Sequence, residues 1–287
     1  MDVVFLGTSA SPSMPVPFCT CDVCKTCRRI QGKNLRRRSS ILIDGKLIVD
    51  LGPDVVSSSF THGVSLENVC ICLQTHSHSD HFDPELIVCR NPEYGNVTKS
   101  VLRFVASRQA AEQADIIVNQ HCAYGSIFGK NGETAYNILV QAIRPFERVN
   151  INEYQVTALQ ANHGNGEDCF IYAIELANAA ILYATDTSNL SDKVWKYLTE
   201  TEFCFDAVIL DHTYGMGFPS IHGDHLGHQD FVDHVRKFRE LQLIKKNGRI
   251  YATHLSHEGN TEHSELCRIA EKYGYVVAYD GLRFTVK

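Results

Sequence analysis

No apolar run in the chain approaches the ~20 residues of a membrane-spanning helix, so the sequence offers no candidate membrane span. There is no excess of basic charge either. The formal net charge is -6 at pH 7, and a general attraction to nucleic acid or to an anionic membrane is not expected. The start, MDVVFLGTSA, lacks the basic segment and long apolar stretch of a secretory signal. It reads instead as a first strand, Val3–Leu6, running into a Gly-Thr turn. No repeat, low-complexity tract or Pro/Gly/Ser-rich linker divides the chain, so one domain over residues 1–287 is expected. With these absences a cytoplasmic protein is expected, in a compartment where thiols stay reduced. Its eleven cysteines then point to metal ligands or small buried hydrophobes rather than disulfides.

What is present is an ordinary globular balance, with 44% hydrophobic and 21% charged residues over 287 positions. Short β-branched runs recur: SILID (40–44), KLIVD (46–50), VCICLQ (69–74), VLRFVA (101–106), FIYAIEL (170–176), AILYATD (180–186), DAVILD (206–211) and RIYATH (249–254). Residues 46–52 and 69–75 are nearly all apolar, as strands buried on both faces are. Helical spacing marks Asp192–Thr199, Gln229–Leu243 and Glu262–Lys272, and two short strands, YVVAY and RFTV, end the chain. Strands first, then strands alternating with helices, predict a layered α/β domain. Residues 116–150 fit this pattern least and are read as an insertion over the site.

The strongest chemical signal is THSHSDH (75–81), directly after an apolar strand. One histidine at a strand end is usually structural, but here His76, His78, Asp80 and His81 fall within six positions. Imidazole and carboxylate suit zinc, manganese or iron. Alternate residues of an extended segment share a side, so His76 and His78 can grip one ion, while Asp80 and His81 on the next turn can reach a second. Further candidates stand at later strand ends: His163 in QANHGNG, Asp186 in AILYATD and His254 in RIYATH.

In this order the residues resemble the metallo-β-lactamase superfamily. The segments FLGTSAS, VDLGPD (49–54), THSHSDH and THLSH carry the resemblance over nearly the whole chain. Within the superfamily the sequence is most similar to the phosphodiesterases that hydrolyse 5-phosphoribosyl 1,2-cyclic phosphate in phosphonate utilisation. The resemblance implies a four-layer αββα sandwich with the site at one edge of the two sheets. It implies two active-site divalent ions, manganese or zinc. His76, His78 and His163 would hold the first and Asp80, His81 and His254 the second, with Asp186 bridging them. Asp80 could instead orient the nucleophile, but in lactamase-type members this aspartate is a ligand. His78 stands where the oxygen-reducing di-iron relatives carry glutamate. The implied reaction is hydrolysis of a small, cyclic phosphodiester by a bridging hydroxide. The physics supports it: two cations about 3.5–4 Å apart acidify a shared water and stabilise both attacking and leaving oxygens.

The resemblance also accounts for CTCDVCKTC (19–27), four cysteines in nine positions of a polar loop. It implies one structural zinc held by Cys19, Cys21, Cys24 and His257, the second histidine of THLSH, in the closed tetrahedral form usual for such sites. Cys27 would stay outside, although Cys21, Cys24 and Cys27 with Cys19 or His257 is also a workable set. IHGDHLGHQD (221–230) offers a proton donor for the leaving group, with His228 the first candidate and His225 the next. His212 follows a strand without a motif to place it. Arg36, Arg37 and Arg38 could bind a second phosphate, though a solvated face is the reading favoured for at least two of them. The expected partners are a small phosphodiester and, at most, a second copy of the chain. The alternatives are a tRNA 3′-processing-like nuclease, which the acidic balance disfavours, and a non-catalytic, chaperone-like relative, which the complete ligand set disfavours. Thiolester and lactam hydrolysis remain open on the chemistry alone.

Overall fold

The structure, a computed structural model, describes residues 1–97, 100–164 and 169–287. Six strands of the first half, β1 (Asp2–Gly7), β2 (Ser40–Ile43), β3 (Leu47–Val49), β4 (Ile71–Leu73), β5 (Leu102–Ala106) and β6 (Ile138–Ala142), form one sheet. The second holds β7 (Arg148–Ile151), β8 (Tyr154–Gln160), β9 (Phe170–Leu176), β10 (Ala179–Ala184), β11 (Phe205–Asp211), β12 (Ile244–Thr253) and β13 (Val276–Val277). A last strand, β14 (Arg283–Thr285), returns to the first sheet beside β1. The sheets run β14-β1-β2-β3-β4-β5-β6 and β13-β12-β11-β10-β9-β8-β7.

Alternation along the strands divides the apolar residues between layers. Val3 and Phe5 of β1, Leu47 and Val49 of β3, and Ile181 and Ile209 of the second sheet meet between the sheets. The opposite positions, Val4, Leu6 and Ile48, face outward beneath α2 (Val55–His62), α3 (Arg108–His121) and α4 (Gly129–Tyr136). On the far side Leu182, Val208 and Ile250 lie beneath α5 (Asp192–Glu200), α6 (His228–Glu240) and α7 (His263–Tyr273). The architecture is the αββα sandwich. Among the described residues no helix is long and apolar enough to cross a membrane.

Two details depart from the sequence reading, and a third concerns one of the three arginines. The cysteine segment is helical where a loop was expected: α1 spans Asp22–Ile30, with Cys21 as its N-cap. The helix expected to reach Leu243 ends at Glu240, because Gln242 takes a left-handed conformation and turns Leu243 into the core. Arg36 is neither solvated nor free. It is buried and donates to Thr8 Oγ1 (2.8 Å) and to the Ala278 carbonyl (2.6 Å). Residues 116–150 supply the end of α3, all of α4, and β6 and β7, one edge strand of each sheet.

The inter-sheet core generates a stability prediction. Ile209→Ala removes a fully buried side chain between the sheets and should cost about 2–5 kcal/mol in urea unfolding. Ile116→Ala, at a half-exposed position, should stay within about 0.5 kcal/mol. Equal losses would contradict this placement of the core.

Candidate metal centre

β3, β4 and β5 are parallel neighbours, as are β10, β11, β12 and β13. Parallel strands bring their carboxyl ends to one edge, the usual place for a ligand site in such sheets. Asp50 follows β3, and the His76–His81 turn follows β4. Asp186 comes two residues after β10, and His254 immediately after β12. Asp50, Asp186 and His254 all have left-handed φ, at 66°, 50° and 57°. That conformation costs a non-glycine residue of order 1–3 kcal/mol, and here it swings each side chain over the strand ends. His163 stands three residues beyond β8; the rest of QANHGNG runs into residues 165–168, outside the described ones.

The donor atoms form two groups, His76 with His78 and His163, and Asp80 with His81, Asp186 and His254. His163 Nε2 lies 3.1 Å from His78 Nδ1. Asp186 joins the groups. Its Oδ1 is 3.9 Å from His76 Nε2 and 3.6 Å from His163 Nε2. Its Oδ2 is 2.9 Å from His81 Nε2 and 3.1 Å from His254 Nε2. Asp80 Oδ2 completes the second group, 3.2 Å from His81 Nε2.

A surrounding set of hydrogen bonds aims these rings. His81 Nδ1–H donates to Asp50 Oδ2 at 2.7 Å, while Asp50 Oδ1 accepts from the Thr75 amide and hydroxyl and from Gln74. The Thr75 hydroxyl in turn accepts His76 Nδ1–H (2.9 Å). His163 Nδ1–H donates to the Asp224 carbonyl (3.0 Å), and His254 Nδ1–H to Thr213 Oγ1 (2.8 Å). Four rings therefore have Nδ1 occupied and Nε2 turned inward, the arrangement that fixes tautomer and orientation for metal binding. Only His78 presents Nδ1.

The donor set fits cations. Among the described residues His76 Nε2 and Asp186 Oδ2 are buried without a hydrogen-bond partner, and His81 Nε2 faces His254 Nε2 at 3.1 Å. Lone pairs converge there instead of pairing with donors. Burial opposes a charge on His81, yet the carboxylates of Asp186, Asp50 and Asp80 hold its imidazole well above the usual range. Burial would raise Asp186, but the imidazoles of His254 and His81 hold it well below the usual carboxylate range.

These groups floor a cavity of about 300 Å³. His225 lines it, with Nδ1 2.9 Å from Asp211 Oδ2. Burial disfavours the His225 cation, but the carboxylates of Asp211, Asp186 and Asp224 together outweigh burial and lift the imidazole to about 9. His228, the first candidate for proton donor, is not among the residues lining the cavity. It opens α6, with Nδ1 3.3 Å from His212 Nε2 and its ring against Tyr273. His212 is buried behind the site, bound to Asn260 Oδ1 at 2.8 Å, and burial lowers it to about 4. The arginines are also elsewhere, around a separate cavity, with Arg37 against Asp280 and Arg38 against Asp54. Asp50 lies in VDLGPD, a segment that carried the resemblance without being given a role, and Asp211, Thr213 and Asp224 escaped the sequence reading; the one signal for Asp211 was that it closes a strand of the same edge.

A second cluster lies at the N-terminal segment. Cys19, Cys21, Cys24 and His257 bring one ligand atom each within 4.8 Å of one another. His257 Nδ1 is 3.4 Å from Cys21 Sγ and 3.6 Å from Cys19 Sγ. The Cys24 amide donates to Cys21 Sγ and lowers that thiol to about 6. Cys27 lies one turn along α1, buried and outside the group.

Comparison with known proteins agrees with this geometry. The beta-lactamase superfamily domain matches residues 46–255. The chain is similar in structure to a diphosphatase from the PhnP family, with 22% identity, TM-score 0.72, and 99% of this chain and 96% of that one covered. It is also similar to Zn(2+)-bound PqqB from Methylobacterium extorquens (17% identity, TM-score 0.74, both chains covered to 100%). Human tRNase Z, short form, follows at 16% identity and TM-score 0.67, again with 100% of each chain covered. At these identities the likeness is one of fold. None of the curated proteins matches. With a family match over most of the chain, an αββα sandwich and a histidine–aspartate centre at the sheet edge, the chain belongs to the metallo-β-lactamase superfamily of metal-dependent hydrolases.

Proposed function

We propose that the protein is a phosphodiesterase acting on a small, cyclic phosphodiester. The observation that carries this reading is Asp186, whose two carboxylate oxygens each face a separate histidine group at the floor of one small cavity. His76, His78 and His163 would hold one divalent ion and Asp80, His81 and His254 the other, with Asp186 shared; zinc and manganese both suit these donors. Two such ions supply Lewis acidity and a nucleophilic water at neutral pH, and they stabilise the oxygens of an in-line displacement.

The chain's own residues supply the rest. When the phosphorus–oxygen bond to the leaving group breaks, the departing alkoxide needs a proton. His225 Nδ1–H is committed to Asp211, so the proton on Nε2 is the one delivered. The Asp211 and Asp224 carboxylates beside the ring favour the imidazolium form of His225, the form a proton donor must take. A cavity of about 300 Å³ suits a small ester better than structured RNA, and the likeness to a diphosphatase is in keeping with a phosphate ester. The Cys19–Cys21–Cys24–His257 cluster would hold one structural zinc, the usual occupant of a closed thiolate-rich site.

Three experiments test this reading. Asp186→Ala should abolish hydrolysis of bis(p-nitrophenyl) phosphate while circular dichroism shows a folded protein; turnover like the wild type would sink the proposal. His225→Ala should lose about 10²–10⁴-fold on an ester with a poor alkoxide leaving group and little on p-nitrophenyl esters, whose leaving group needs scant protonation. Equal losses on both would argue against a donor role. Cys19→Ser should release the tightly held zinc and lower the melting temperature, whereas Cys27→Ser should keep both. A count of four sulfur ligands by X-ray absorption would reassign the site.

A further inference from the structure

Away from the metal centre, a cavity of about 460 Å³ is lined by Arg36, Arg37 and Arg38 together with Asp54, His62 and Asp280. Its charges do not balance: among the described lining residues three guanidiniums stand against two carboxylates. Arg36 is the residue left without a counter-charge. It is buried, yet its hydrogen bonds go to neutral groups, the Thr8 hydroxyl, the Ala278 carbonyl and His263 Nδ1 (3.0 Å). Among the described residues the ion pairs at this cavity belong to its neighbours, Arg37 with Asp280 and Arg38 with Asp54. Asp280 meets Arg36 only through Thr8, whose hydroxyl donates to Asp280 Oδ1 (2.7 Å). Burial pulls Arg36 down to about 10, so it stays charged at neutral pH. A buried charge is ordinarily paired, because leaving water uncompensated is costly.

The other two arginines keep donors in reserve. Arg37 Nη2 donates to Thr61 Oγ1 (3.0 Å), but its Nη1 lies 3.8 Å from Asp280 Oδ2, too far for a hydrogen bond. Arg38 Nη1 donates to Asp54 Oδ2 (3.1 Å), and its Nη2 makes no hydrogen bond among the described residues. Both side chains are 30% exposed, so a solute in the cavity can reach them. Burial, and then the charges of Arg37 and Arg283, hold the His62 imidazole below its usual value, as a positive local field requires. The backbone carrying the arginines is fixed: Arg36 exchanges amide hydrogen bonds with Met14 (2.7 and 3.1 Å), and the Arg37 amide donates to Asp280 Oδ2 (2.7 Å). Paired forks on a fixed backbone suit the oxygens of a phosphate, which guanidinium binds bidentately.

We infer that this cavity is a binding site, outside the metal centre, for the phosphate group of a small molecule: Arg37 and Arg38 hold its oxygens, and Arg36 supplies the buried positive charge that it compensates. The segment after β1 borders both cavities, with Ala10 and Ser11 on the catalytic side and Ser13, Met14 and Pro15 on the arginine side. The phosphate therefore has two sources of the same chemistry, the far end of a substrate lying across that segment or a separate phosphorylated molecule. The site does not depend on the phosphodiesterase reading above.

The test is calorimetric titration of inorganic phosphate into the metal-loaded protein at low ionic strength, with sodium chloride as the control. Phosphate held at the metal centre is common to wild type and variants and drops out of the comparison. Arg37→Gln and Arg38→Gln should each weaken the remaining binding at least ~10-fold, about the loss of one charge-assisted hydrogen bond, while circular dichroism and turnover of bis(p-nitrophenyl) phosphate stay like the wild type. Titrations that superimpose for the three proteins, or a wild type that binds phosphate at the metal centre alone, overturn the inference. A second arm separates the sources by kcat/KM for a 2′,3′-cyclic nucleotide with a 5′-phosphate and with a free 5′-hydroxyl. A loss in Arg38→Gln confined to the phosphorylated ester assigns the cavity to the substrate's own second phosphate, and equal effects on both esters assign it to a separate molecule. Hydrolysis of neither ester by the wild type counts against the phosphodiesterase reading and leaves the calorimetric result standing.

Discussion

The Asp186 carboxylate sits buried between two sets of imidazoles, and the centre is organised around that placement. A buried charge with no partner is costly. Here the cost is met by converging histidines whose outer nitrogens are tied down by Thr75, Asp50, Thr213 and the Asp224 carbonyl. Remove the carboxylate and the inner nitrogens face one another across an uncompensated gap. Keep it, and the pocket is set for positive charge before any ion arrives.

That placement depends in turn on the parallel ordering of strands. β10, β11 and β12 lie side by side and in register at their carboxyl ends. Residues distant in sequence therefore reach the same edge: Asp186, Asp211 and His254 from one sheet, Asp50 and the histidine turn from the other. The strained φ values fall on three of these residues, and the packed sandwich beneath them supports the cost.

The thiol cluster and the catalytic wall share a rigid junction. His257 precedes Glu258 and Gly259, which pack against Tyr214–Gly217 so tightly that a Cβ on Gly259 would lie 1.7 Å from the Tyr214 carbonyl. The Met216 amide donates to the Gly259 carbonyl (2.8 Å), and Asn260 bridges to the carbonyls of His212 and Thr213. From Tyr214 the path continues to Asp224 and thence to His163 and His225. An ion at the cysteines would therefore steady the segment that leads to His163 and His225, through backbone contacts and side-chain hydrogen bonds together.

The sequence by itself determined the layered α/β class, the histidine turn and the distant residues at strand ends, because these depend on local patterns: apolar alternation, imidazoles two residues apart, polar residues closing apolar runs. The cysteine spacing was equally legible, but its helical setting was not; α1 (Asp22–Ile30) is polar, and its start is a cysteine N-cap. Only the tertiary structure separates the placement of His225 from that of His228. They lie three residues apart, yet one faces the cavity and the other packs against His212 and Tyr273, a difference set by how the loop after β11 folds back onto α6. Only the tertiary structure showed Arg36 buried and committed. A charged side chain's local sequence does not say which of its neighbours across the fold will neutralise it and which will leave it free.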